Sequence, residues 1–134
     1  MNRPILAAAG LYFALVFAAG FALGTVRVLY AAPRWGELAA VMVEAPLMLL
    51  ASWLACGVAV RRFAIRGRLA GLAMGVTAFV LLMTAELALA VLAFGRPPAE
   101  FVGAWAAPAG ALGLASQIVF ALLPAIRTPA RRLR

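Results

Sequence analysis

Residues 4–26 read PILAAAGLYFALVFAAGFALGTV, an uncharged run that is interrupted by Arg27 alone before VLY carries it to Tyr30. About 20 apolar residues at a rise of about 1.5 Å each are enough to cross a hydrocarbon core of about 30 Å. Three more runs of that kind follow. Residues 38–60 are broken only by Glu44, residues 69–94 only by Glu86, and residues 101–126 by no charge at all. Between them lie the short polar connections AAPRWG, RRFAIRGR and GRPPAE, and the chain closes on RTPARRLR. The pattern predicts an all-α polytopic membrane protein, an antiparallel four-transmembrane-helix bundle in one membrane domain. Its spans are placed at about 5–30, 38–60, 69–94 and 101–126. Pro33 is expected to stop the first span, and Pro97 and Pro98 to break the chain after the third. Connections this short predict that consecutive spans are neighbours.

Composition supports the same class. Of 134 residues, 67% are hydrophobic, the mean hydropathy is +1.07, and a soluble domain with that content could not cover itself with polar surface. The first run is too long for the apolar core of a secretory signal and is preceded only by Arg3, so it reads as an uncleaved anchor. All 12 basic residues are Arg, all four acidic residues are Glu, and there is no His. Without His the chain alone cannot build a common zinc site, a His-ligated haem or a Ser-His triad. The lone Cys56 lies inside an apolar run and reads as a small buried hydrophobe. No metal and no cofactor is expected. The sequence pI near 11.7 does not point to nucleic acid, because the arginines sit in short blocks between apolar runs and not on one basic face.

Those blocks set an expected orientation. With four spans, Arg3, Arg61, Arg62, Arg66, Arg68, Arg127, Arg131, Arg132 and Arg134 share one side, and only Arg34 and Arg96 lie on the other, with Arg27 at its rim. The positive-inside rule makes the first side cytoplasmic, N-in and C-in, in a bacterial inner (plasma) membrane. The same arginines would attract anionic lipid headgroups.

Charges inside the spans carry most of the functional information, since each costs about 2.5–3.5 kcal/mol near mid-bilayer on insertion scales. Counting from the outer ends of their spans, Arg27 is about 5 Å deep, Glu44 about 10 Å and Glu86 about 13 Å. All three thus fall in the outer half. At about 100° per residue, Gly20 and Gly24 share the face of Arg27, and Ala40, Ala51 and Ala55 that of Glu44. Gly71, Gly75, Ala90 and Ala93 flank Glu86, and Ala106, Gly110, Gly113 and Ala121 share the side of Gln117. Small residues mark close helix contact in lipid, so each polar residue is expected to point inward. Gly20–Gly24 and Gly71–Gly75 are GxxxG patterns that suit contact within a chain or between copies. Pro46 and Pro108 are expected inside helices as kinks. A weak internal repeat is visible, with Arg34, Glu37 and Pro46 in one hairpin and Arg96, Glu100 and Pro108 in the other. Gln117 and Ser116 are expected to hydrogen-bond between helices, Tyr30, Trp35 and Trp105 to lie at the membrane surface, and Tyr12 and Trp53 to pack.

Arg27, Glu44 and Glu86 are therefore the candidate site, as a proton- or ion-handling cluster or as a structural one. In the structural version Arg27 pairs with Glu44, and Glu86 is held by Thr84, by backbone or by an Arg of another protein. Two functions follow. One is movement of a proton, ion or small solute by a homo-oligomer, since four helices enclose little space. The alternative is a non-catalytic accessory or assembly subunit of a larger membrane complex. An enzyme is not expected, because two carboxylates and one thiol supply neither a base–nucleophile pair nor a metal set.

Overall fold

Gly36, Gly67 and Gly95 have φ of +84°, +93° and +65°, in the left-handed region that favours glycine, and they punctuate the chain. The computed structural model describes residues 3–128, and among them no strand occurs. Five helices follow: α1 (Arg3–Trp35), α2 (Glu37–Arg62), α3 (Arg68–Ala93), the short α4 (Pro98–Gly103) and α5 (Pro108–Arg127). Helices α1, α2, α3 and α5 are each long and apolar enough to cross a membrane. Arg131, Arg132 and Arg134 lie outside the described residues.

Pro33 does not stop the first helix. A proline there cannot donate to the Leu29 carbonyl and crowds it. The chain answers with a π turn over Arg27–Ala31, in which the Ala32 N–H reaches five residues back to the Arg27 carbonyl. The wider turn admits Pro33 into a last helical turn, and Gly36 ends the helix. Helix α3 closes in the same way, with a π turn over Leu89–Ala93 and a Phe94 N–H to Leu89 carbonyl bond of 3.3 Å.

The fourth span differs from its expected form. Residues 101–106 belong to α4 and to a 3-10 turn, Ala104–Ala106, and Ala107 is extended with ψ 151°. The α conformation is disfavoured for a residue that precedes proline. Pro108 therefore opens α5 at its first turn and does not kink it. Gly110 packs on the Ala104 carbonyl where the chain folds back, and Gly113 meets nothing within 4 Å, so neither makes a helix–helix contact. The hairpin repeat ends here too, because Pro46 lies inside the continuous α2.

Neighbours are also reordered. Around the bundle the sequence is α1, α2, α5, α3; α2 and α3 lie across the diagonal. Consecutive spans are thus not all adjacent. The connection between α2 and α3 crosses the end of the bundle and buries Ile65 in the core beside Val60. Its turn holds Ala64 at φ 52°, with the Ile65 N–H bonded to the Val60 carbonyl at 3.0 Å.

The core sets small residues, Ala8, Ala9, Ala55, Cys56, Ala59 and Ala78, around a few large ones, chiefly Tyr12, Met74 and Phe120. Large apolar side chains such as Leu29, Leu69 and Leu92 point outward. Bulk outside and small residues inside is the arrangement of an integral membrane protein, where lipid solvates the exterior and backbones approach closely. The Gly71–Gly75 pair shows it: a Cβ on Gly75 would overlap the Ala121 carbonyl, and one on Gly71 the Pro124 carbonyl. This GxxxG face is occupied by α5 of the same chain.

Pro124 also explains Tyr12. Proline inside α5 has no N–H, so the Phe120 carbonyl four residues earlier loses its helical donor. The Tyr12 hydroxyl donates to that carbonyl at 2.7 Å while its ring stacks on Phe120 at 4.3 Å. Tyr12→Phe keeps the stack and strands the carbonyl, an expected cost of about 1–3 kcal/mol in thermal unfolding. In a Pro124→Ala background, which returns the N–H, the same change is expected to cost less. Equal costs in the two backgrounds would refute this account.

Candidate functional site

Arg27 begins the π turn of α1, and its guanidinium lies back over Gly24, 3.8 Å from where a Cβ would stand. Its Nε is 2.6 Å from Glu44 Oε2, although its N–H is not aimed for a hydrogen bond, and Nη1 is 3.6 Å from Glu37 Oε1. The pair is an ion contact between α1 and α2. Glu44 is 18% exposed and Glu37 70%, so Glu44 has Arg27 as its counter-ion while Glu37 reaches the surface. Glu37 was legible only as a helix-opening acid. That it faces Arg27 follows from the tight turn at Gly36, which brings the first turn of α2 beside the last of α1. Gly20 faces the end of the Met48 side chain, so this second GxxxG pattern borders α2.

Glu86 is arranged differently. Among the described residues no Arg stands within ion-pair distance of it. The Gln117 amide nitrogen donates instead to both of its carboxylate oxygens, each at 2.8 Å. Arg27 and Glu44 lie near enough to act on Glu86 through space. Thr84 does not hold it; the Thr84 hydroxyl donates to its own helix at Val80. Ser116 likewise bonds back to Leu112 and makes no bridge between helices. The polar set thus has two parts, Arg27–Glu44–Glu37 between α1 and α2, and Glu86–Gln117 between α3 and α5. Both π turns fall beside it, one at Arg27 and the other starting three residues after Glu86. Such turns break the α pattern and recur at functional sites.

No group of three or more metal-binding side chains occurs among the described residues. Cys56 is buried in the core cluster that holds Tyr12 and Met74, to which neither Glu44 nor Glu86 belongs. At the other end of the bundle, Arg127 of α5 donates through Nη1 to the Trp53 carbonyl of α2, and its guanidinium lies 4.2 Å from the Trp53 ring centre. Trp53, expected to pack, is instead 42% exposed, outside the core cluster, and serves as a platform for the arginine. Compared with known protein families, curated proteins and solved structures, the chain matches none.

Proposed function

We propose that this chain handles a proton, ion or small solute in the membrane as a homo-oligomer, with Glu86 as the group that takes up the cargo and the Arg27–Glu44 pair beside it. The observation that carries the reading is the partnering of Glu86. Its carboxyl is met by a neutral amide, while Arg27, the cation near it among the described residues, is engaged by Glu44 and Glu37. A carboxylate left surplus at membrane depth is neutralised by binding a proton or a cation, and sites of this kind mark ion and proton pathways. Tyr12, Met74 and Phe120 fill the bundle interior, so a path for cargo would run between copies. On the positive-inside rule both termini face the cytoplasm of a bacterial inner membrane, and the Arg-rich end meets anionic headgroups.

The same filled interior favours one other reading, a non-catalytic accessory subunit whose Glu86 face completes a larger complex. Reconstitution in liposomes separates the two. Proton flux read by a trapped pH dye, and monovalent-cation flux, are expected for the wild type and absent for Glu86→Gln, which keeps the size of the side chain and an acceptor for Gln117. Undiminished flux in Glu86→Gln removes the transport reading. No flux from any preparation, with stoichiometric co-purification of another membrane protein, establishes the accessory role.

A further inference from the structure

The α2–α3 connection and the end of α5 border an open cavity of about 400 Å³ lined by Gly57, Val60, Ala64, Ile65 and three arginines, Arg61, Arg66 and Arg127. Three guanidinium groups around one cavity repel one another unless an anion joins them. No acidic side chain lines it; the four glutamates of the chain are Glu37, Glu44, Glu86 and Glu100, which belong to the opposite end of the bundle. Among the described residues Arg66 has no hydrogen-bond or ion-pair partner.

The surroundings are built to hold these cations in place. Gly57 is bare where Arg127 crosses from α5 to α2: a Cβ there would stand 2.5 Å from Nη2 of Arg127. Arg127 is then fixed on the Trp53 carbonyl and ring, and Arg61 by its Nε–H to the Gly57 carbonyl at 3.2 Å. The end of α2 would ordinarily present carbonyls that repel an anion. Here the carbonyls of Ala59, Val60 and Arg61 accept from the N–H groups of Phe63, Ile65 and Ala64. The left-handed turn at Ala64 and the buried Ile65 anchor the floor.

We propose that Arg61, Arg66 and Arg127 form a binding site for the phosphate of an anionic phospholipid. Guanidinium groups match phosphate oxygens in pairs. The helices that flank the cavity, α2 and α5, expose Leu54, Val58, Leu122 and Ile126, apolar surface of the kind acyl chains cover. The lipid, and not free phosphate, is therefore the occupant. The site rests on the chain being in a membrane with this end at the headgroups, and not on what Glu86 does.

Native mass spectrometry of the full-length protein, loaded separately with phosphatidylglycerol and phosphatidylcholine, tests it. One phosphatidylglycerol per chain is expected to be retained in preference to phosphatidylcholine. Retention should fall about tenfold in Arg66→Gln and further in Arg61→Gln/Arg66→Gln. Arg66 is exposed and holds nothing else, so its variant should melt as the wild type does. Arg96→Gln, at the other end, should retain lipid normally. Equal retention of the two lipids, or unchanged retention in the double variant, overturns the site. Displacement of phosphatidylglycerol by millimolar inorganic phosphate overturns its assignment to lipid. Glu86→Gln is expected to lose flux and keep the lipid, so failure of the transport reading and failure of this site are separate results.

Discussion

Gly75→Leu is expected to abolish the folded bundle. A Cβ at this position alone would overlap the backbone carbonyl of Ala121, and the Pro124 ring stands 3.3 Å from the same point. Neither neighbour is the free end of a flexible side chain, so α3 and α5 must separate. Overpacking a core typically costs about 1–3 kcal/mol even where side chains can yield. Here separation also draws Gln117 from Glu86 and Phe120 from Tyr12, so the cost should exceed 3 kcal/mol, by the sum of an overpacked contact and stranded polar groups. Thermal melting in detergent reads it directly. Gly113 is the internal control. It lies in α5 with nothing within 4 Å, so Gly113→Ala should be neutral or stabilising by up to about 1 kcal/mol through helix propensity. A Gly75→Leu protein that melts with the wild type would mean that α3 and α5 do not meet through this face.

The contrast between those glycines shows what a sequence of this kind discloses. The four long apolar helices were legible because hydrocarbon demands an apolar run of fixed length, and residues 4–26, 38–60 and 69–94 obey it without ambiguity. The start of α5 was not, because residues 101–107 are as apolar as a span. Only the backbone rule for residues before proline divides them at Ala107. Ring order was hidden as well: a connection of a few residues can join neighbours or cross a diagonal. The deciding residue, Ile65, is one of three apolar residues, Phe63, Ala64 and Ile65, between arginines, and nothing in the sequence singles it out. Within the site, the Arg27–Glu44 approach could be read from depth and face alone. The Glu86–Gln117 bond could not. With Gly75 opposite Ala121, Glu86 lies about seven residues, or about 10 Å, beyond the level of Gln117. Helical side chains lean toward the N-terminus of their own helix. In two helices running opposite ways, Glu86 and Gln117 therefore lean toward each other and close the gap, a geometry that depth counting at Cα does not see. The role of Tyr12 is legible in one respect. Pro124 in an apolar run announces a free carbonyl at residue 120, and a buried hydroxyl is what such a carbonyl needs.

Arg27→Met is expected to destabilise the protein by about 3 kcal/mol, the lower end of the cost of leaving one member of a buried ion pair alone, since both side chains are half-buried. Its effect should exceed that of Glu44→Met, because the two partners are not equivalent. Without Glu44, Arg27 still has Glu37 at 3.6 Å and a long side chain that can move outward to it. Without Arg27, Glu44 has no cation at ion-pair distance among the described residues. The double variant Arg27→Met/Glu44→Met removes both charges and replaces them by apolar side chains of similar length, so most of the lost stability should return. A coupling above about 1.5 kcal/mol between the two substitutions, measured by melting in detergent, is the expected result. Additive losses would show that the two charges are solvated separately and that their 2.6 Å approach contributes nothing. The double variant also divides structure from activity. It should fold with Glu86 and Gln117 in place, so its flux reports what the pair adds to the cargo site beyond holding α1 against α2. Loss of flux in a stable double variant would make Arg27 and Glu44 working parts of the site. Retained flux would leave Glu86 as the group that acts and make the pair its scaffold.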